Sequence, residues 1–312
     1  MFQGMEYVYE VYKERSFSKA AQNLYISQPS LSATIKKIEA RIGAPLFDRS
    51  TTPIQLTECG QEYVKSMERI MDIEAEFENY LNDLNELKTG RIAVGGSNLY
   101  TSFVLPPLLT RFTNRYPSVD IRLVEADSAL LEQRLFAGTL DLVIDNSLMN
   151  PDIYQGHRYQ TEYLFLAVPA NFESNGRARD YQLTREDILS GRFLDASFPC
   201  VPLEYFAQEP FLFLRTGNDT RERADRICKN YNFRPKIVLK LDQQITAFNL
   251  SCFGMGCSFV SDTLVRTLSR DVDMCYYKLP PAEAHRDIYF YHKRSRYVTR
   301  AMEEFLKITM QA

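Results

Sequence analysis

A chain of 312 residues, 45% hydrophobic and 25% charged, is long enough for about two domains with real cores. This composition excludes a disordered tail protein, a collagen-like repeat and a membrane channel. No apolar run reaches the ~18 residues that a transmembrane helix needs. The opening MFQGMEYVYEVYKERSFS carries charges too closely spaced for a signal peptide, so a cytoplasmic location is expected, with no membrane partner.

The net charge of −3 argues against a nucleic-acid partner only until its distribution is read. Residues 1–60 balance seven Lys/Arg against six acids. Residues 61–89 set three cations against eight acids, and the remainder is close to neutral. The acid is therefore concentrated in one short stretch, and the whole-chain charge says little about the first sixty residues. The six cysteines form no C-x-x-C pair and have only three histidines to join them. They read as reduced, mostly buried thiols, with no metal site and no cofactor expected.

From the start, Met5, Val8, Val11 and Tyr12 repeat at helical spacing. Ser18 is placed to cap a second helix from Lys19 to Leu24, and Tyr25-Ile26 makes a turn. Ser27 then caps a third helix, with Gln28 first and Pro29 just inside, where no N–H partner is needed. Leu31, Ile35, Ile38 and Ile42 form its buried stripe. Gln28, Ser32 and Lys36 lie on the other face beside Pro29, Ala33 and Lys37. Such a face suits a major groove: Gln pairs with adenine, Ser with either base, and Lys reaches phosphate.

The string SFSKAAQNLYISQPSLSATIKKIEARIGAPLFDRS, followed by IQLTECG, resembles the winged helix-turn-helix of LysR-type transcriptional regulators, continuously from about Met5 to Gly60. The resemblance implies DNA contacts from Ser27, Gln28, Pro29, Ser30, Ser32, Lys36, Lys37 and Arg49. Two positions depart from the family's pattern. Ala33 stands where Arg or Lys is common, and the wing Ser50-Thr51-Thr52-Pro53-Ile54-Gln55 is uncharged. Fewer phosphate contacts imply a shallower salt dependence and reliance on avidity.

Beyond Gly60, apolar residues fall at Tyr63, Met67, Ile70, Ile73, Phe77, Tyr80, Leu84 and Leu87, close to a coiled-coil seam. A helix over 61–88 would span roughly 42 Å. A sixty-residue domain cannot cover it alone, so a dimerisation helix is expected.

From Arg91 short β runs alternate with helices: RIAVG, a helix from Thr101 to Tyr116, VDIRLVEA, a helix from Ser128 to Ala137, and LDLVID. A second half follows with EYLFLAV, PFLFL, a helix from about Asp219, KIVLKL and CSFV, then DIYFYH and a helix from Tyr297. The alternation predicts a mainly parallel sheet wrapped by helices.

The expected chain is thus multidomain, α and α/β. A winged helix-turn-helix (1–60) and a linker or dimerisation helix (61–89) precede a two-lobed effector-binding domain (90–312). That domain resembles a type II periplasmic binding protein, with lobe I over about 90–160 and 270–312 and lobe II over about 161–269. Resemblance to the family's effector domain is looser between Asn171 and Gln208. Ligand chemistry belongs where strands end and helices begin, at Gly95-Gly96-Ser97-Asn98, Asp127-Ser128, Asp145-Asn146 and Thr216-Gly217-Asn218. The resemblance points there to Ser97, Asn98, Thr101, Ser128 and Asn146, with Thr216 and Asn218 opposite. Helix N-termini favour a carboxylate or other small anion, although such clefts also take neutral ligands.

No G-x-S-x-G, phosphate loop, H-E-x-x-H or complete dinucleotide fingerprint occurs, so no catalytic residue is expected. The expected protein is a LysR-type regulator controlled by a small molecule, with double-stranded operator DNA as partner and a homodimer or homotetramer as its working form. The alternative is a cytoplasmic small-molecule-binding protein whose first module only oligomerises.

Overall fold

The computed structural model describes residues 1–51, 53–83, 90–267 and 272–310. It divides into two units, Met1–Glu78 and Asn79–Ala312.

In the first unit, α1 (Met5–Glu14), α2 (Phe17–Asn23) and α3 (Gln28–Ile42) precede a short antiparallel ribbon of β1 (Phe47–Asp48) and β2 (Gln55–Leu56). The helix α4 (Glu58–Asp83) follows. The cap of α2 is Ser16, not Ser18: its extended backbone lets the hydroxyl accept from the Lys19 N–H, which moves the helix start to Phe17. Ser27 caps α3 as expected, accepting from the Ser30 N–H at 3.3 Å. Leu31, Ile35 and Ile38 are buried with Val8, Val11, Ala20 and Ala21, whereas Ile42 sits at the edge of this core.

The long helix begins earlier than residue 61. Thr57 accepts from the Gly60 N–H at 3.0 Å and donates its hydroxyl to the Pro45 carbonyl at 2.6 Å, so α4 starts at Glu58 and is tied to the turn before the ribbon. Tyr63, Val64 and Met67 complete the core of this unit. Ile73 and Phe77, further along, are exposed. The side chain of Tyr80, and the part of the expected helix that includes Leu84 and Leu87, lie outside the described residues.

The second unit opens with β3 (Gly90–Gly96), α5 (Asn98–Phe103), α6 (Leu105–Arg115), β4 (Val119–Glu125), α7 (Ser128–Phe136), β5 (Leu142–Asp145) and β6 (Tyr154–Pro169). The single helix expected from Thr101 to Tyr116 is two. Pro106 and Pro107 offer no N–H to an earlier turn, so they occupy the first turn of a new helix after a break at Val104.

Next come α8 (Ser174–Arg177), β7 (Gln182–Leu183), α9 (Arg185–Leu189), β8 (Pro210–Leu214), α10 (Asp219–Asn230), β9 (Lys236–Leu241) and α11 (Gln244–Cys252). The chain continues through β10 (Cys257–Ser261), α12 (Asp262–Thr267), β11 (Met274–Lys278), α13 (Pro281–Ala284), β12 (His285–Lys293) and α14 (Arg300–Met310). The last helix thus starts three residues after Tyr297.

The strand order is β4-β3-β5-β12-β6-β10-β8-β9, with β11 and β7 branching from β6. Parallel pairs lie at the two outer parts, and antiparallel pairs around β6 and β12 join them, so the sheet is mixed rather than mainly parallel. One strand, β6, makes two lobes: residues 154–163 pair with β12, and residues 164–169 pair with β10 and β11. MCYYK (β11), read from sequence as no element, belongs to the second lobe, and the chain returns to the first only at β12.

Candidate DNA-reading face and ligand cleft

Gln28, Pro29, Ser30, Ala33, Lys36 and Lys37 are all exposed on α3, and Ser32 is half-buried. Arg49 is arranged differently from a free wing cation. Its guanidinium donates to Glu39 at 3.0 Å and to the Ser32 hydroxyl at 3.3 Å, and it lies 5.1 Å from the centre of the Phe17 ring. Glu39 also accepts from the backbone N–H groups of Leu46 and Phe47. Arg49 thereby braces α3 against the ribbon. Beside it Asp48 holds Ser50, whose hydroxyl and backbone N–H keep the Asp48 carboxyl below its ordinary pKa.

In the second unit a cleft of about 620 Å³ lies between the lobes. Ser97, Asn98, Ser128, Asn146, Thr216 and Asn218 line it together, although they are scattered along more than a hundred residues of chain. Thr101 does not. Its hydroxyl is turned to the carbonyls of Ser97 and Asn98 and to Glu125, which leaves it buried behind the wall. Asp127, rather than Ser128, caps α7 by accepting from the Leu130 N–H at 2.8 Å. Asn218 caps α10, and Asn146 accepts from the Tyr100 hydroxyl at 3.1 Å.

The floor holds residues that pattern reading passed over. Arg286 is almost fully buried, with Nε 2.6 Å from Glu162 and Nη1 2.6 Å from Asp219. Burial works against its charge, but Glu162, Tyr100 and Asp219 outweigh it and keep the guanidinium protonated. Burial, then Glu162, raises the Tyr100 phenol well above its ordinary pKa, so it remains a neutral donor. A signal for Arg286 existed: residues 286, 288, 290 and 292 alternate onto the buried face of β12, and an arginine in that apolar series has to be paired. Glu125 and Asp219, at a strand end and a helix start, obey the same placement rule that found Ser97.

Among the described residues no helix is long and apolar enough to cross a membrane, and no group of three His, Cys, Asp or Glu is placed to hold a metal ion.

The sequence matches two family models: the bacterial regulatory helix-turn-helix protein model of the lysR family over residues 2–61, and the LysR substrate binding domain over residues 85–312. It is 29% identical to the uncharacterized HTH-type transcriptional regulator YcgK of Bacillus subtilis (strain 168), covering 99% of this chain and 93% of that protein. It is 27% identical to a probable RuBisCO transcriptional regulator of Gracilaria tenuistipitata var. liui, over 95% of this chain and 91% of the relative. The fold is that of full-length CbnR solved in complex with its target DNA (TM-score 0.67, 19% identity, 100% and 99% of the two chains). A full-length, singly substituted OxyR from Pseudomonas aeruginosa is similar too (TM-score 0.71, 18% identity, 99% and 94%). The chain therefore belongs to the LysR family, and it is a DNA-binding transcriptional regulator with a two-lobed effector-binding domain, not an enzyme.

Proposed function

We propose that this cytoplasmic regulator reads operator DNA with Gln28, Pro29, Ser30 and Ser32 at the base edges and with Lys36 and Lys37 at phosphates, from a domain spanning residues 1–60. In the same reading, residues 61–89 pair two copies, and residues 90–312 bind a small effector in the cleft. The observation that carries it is the outward face of α3: its polar side chains are free of the unit's core, and the Ser27 cap leaves Gln28 at the helix's first position. Exposed Ile73 on α4 supports pairing between copies. A dimer would set two such helices in successive major grooves, about 34–36 Å apart. A ligand that draws the lobes together would act by favouring one assembly over another.

Footprinting of the protein on the DNA flanking its own gene, at ~50 and ~200 mM salt, tests the reading domain. Protection of a dyad is expected, and Gln28→Ala should remove ~1–3 kcal/mol of base discrimination. No protection at either salt would favour a module that only oligomerises, whereas protection that Gln28→Ala leaves unchanged would take base reading away from Gln28.

A further inference from the structure

A second cavity, of about 450 Å³, lies between the lobes and shares no lining residue with the cleft. Its first-lobe wall is the end of α5, at Phe103 and Val104. Its second-lobe wall is α12 together with Phe193 and Leu194, in the turn that follows α9. Tyr159 and Tyr163 of β6 line it as well. Successive side chains of a strand point to opposite faces, so Tyr163 meets this cavity while Glu162 meets Arg286 at the cleft. The two cavities also lie at opposite ends of α5, whose Asn98 and Tyr100 line the cleft.

The walls are aromatic and carry no spare charge. The rings of Tyr163 and Phe193 pack edge to face with centroids 5.1 Å apart, and Phe103 and Tyr159 are half-buried beside them. A cavity of this size and lining suits a small ring compound. Its charged side chains answer each other: Arg266 donates to one Asp262 oxygen at 3.1 Å, and the other oxygen accepts from the Tyr163 N–H at 2.8 Å. An ionic occupant would enter without a counter-charge.

One buried polar atom on the wall is unmatched. Thr263 is 6% exposed, and among the described residues its hydroxyl has no hydrogen-bond partner. A helical threonine ordinarily bonds back to the carbonyl four residues earlier, as Thr267 does to Thr263 at 2.8 Å. Thr263 is the second residue of α12, and the residue four before it, Phe259, belongs to β10, so no helical carbonyl is offered. The Thr161 hydroxyl, by contrast, is taken by Asp287 at 2.7 Å. A buried hydroxyl left alone costs stability, and a ligand hydroxyl, both donor and acceptor, answers it whichever way it is turned.

We propose that this cavity is a second small-molecule site, taking an uncharged phenol whose ring lies among Phe103, Tyr159, Tyr163 and Phe193 and whose hydroxyl pairs with Thr263.

Ligand-observed NMR titration of the full-length protein tests this with p-cresol against toluene, benzoate and benzylamine. p-Cresol should bind. Leu194→Trp, at an exposed position of the wall, should abolish that binding by filling the cavity, whereas Ala129→Trp, at an exposed position of the cleft, should leave it unchanged. Thr263→Val keeps the side chain's shape and removes its hydroxyl, so it should weaken p-cresol about fivefold, the worth of one neutral hydrogen bond, and leave toluene unaffected. A cooperative thermal melt of each variant separates a filled cavity from a lost fold. No p-cresol binding, or binding that survives Leu194→Trp, would overturn the site, and loss in Ala129→Trp alone would move the phenol to the cleft. Equal p-cresol affinity in Thr263→Val and the native chain would overturn the hydroxyl pairing. Benzoate or benzylamine binding that Leu194→Trp removes would overturn the uncharged class.

Discussion

Arg286 and Glu162 stand directly opposite each other in β12 and β6, the strands that pass between the lobes, and their pairing continues to Asp219 on the second lobe. Removing one member leaves a charge stranded in an apolar surround, whereas removing the pair does not. Arg286→Ala is expected to lower the stability of the effector-binding unit by about 3–5 kcal/mol. The double replacement Arg286→Met with Glu162→Gln should recover a large part of that loss. Urea unfolding of the full chain, followed by near-ultraviolet circular dichroism, checks both; equal losses in the single and double variants would refute the coupling.

Gly60 admits no side chain. A Cβ there would lie 2.0 Å from the Leu46 carbonyl oxygen, and the obstacle is backbone that cannot swing away. Gly60→Ala should force α4 off the turn that Thr57 clamps, costing at least the ~1–3 kcal/mol typical of overpacking, and should weaken DNA binding with it. Gly176→Ala is the control, because nothing lies within 4 Å of a Cβ there and its φ is ordinary. Thermal melts of the two variants should separate clearly.

The reading face and most of the cleft's polar loops were legible because caps, prolines and strand ends leave local marks. Ser27-Gln28-Pro29 and Asn218-Asp219 are such marks, each set by a hydrogen bond within a few residues. What stayed hidden depends on distant partners. Ser16 and Ser18 are equally good caps in sequence, and the backbone's extended geometry at Ser16 decides between them. Thr101 looks like a ligand contact until Glu125, 24 positions away, takes its hydroxyl. The first part of β6 is not legible because QGHRYQ is a polar stretch with no strand-like alternation, held extended by β12 across more than a hundred residues.

Two cysteines should be inert. Burial pushes the Cys228 thiol up to about 12 and raises Cys257 as well, so neither offers thiolate near neutral pH. Labelling of the native chain with a disulfide reagent at pH 8 should leave both unmodified, and denaturant should release them together with the second-lobe core they share. Fast native labelling at Cys228 would show that this core opens locally.

Asp219 makes the effector unit sensitive to acid. Burial works to raise its pKa, but Arg286 and Arg223 outweigh it and hold the carboxyl below its ordinary value. A carboxylate depressed in the folded state stabilises above its unfolded pKa, about 3.9, and that contribution is lost as pH falls through the lower folded value. Melting temperature should therefore fall below about pH 4 more steeply in the native chain than in Asp219→Asn, which starts less stable at pH 7. Parallel curves would mean that other carboxylates dominate the acid limb.

Arg49 and Lys36 are both cations near the reading face, yet their roles should separate in salt. Lys36 is exposed and, among the described residues, has no fixed partner, so Lys36→Ala should reduce the slope of log K against log salt by about 0.9 while leaving the fold intact. Arg49 is held by Glu39, Ser32 and the Phe17 ring. Its loss would leave Glu39 without its cation and remove one of the ties between the ribbon and α3, the Leu46 and Phe47 N–H bonds to Glu39 remaining. Arg49→Ala should lower the stability of the first unit by about 1–2 kcal/mol, in the range of hydrogen bonds to charged groups, with little change in salt slope. Filter binding at ~50 to ~200 mM salt, with melts of the same samples, distinguishes the two. A full unit of slope lost with Arg49, at unchanged stability, would return it to the phosphate backbone.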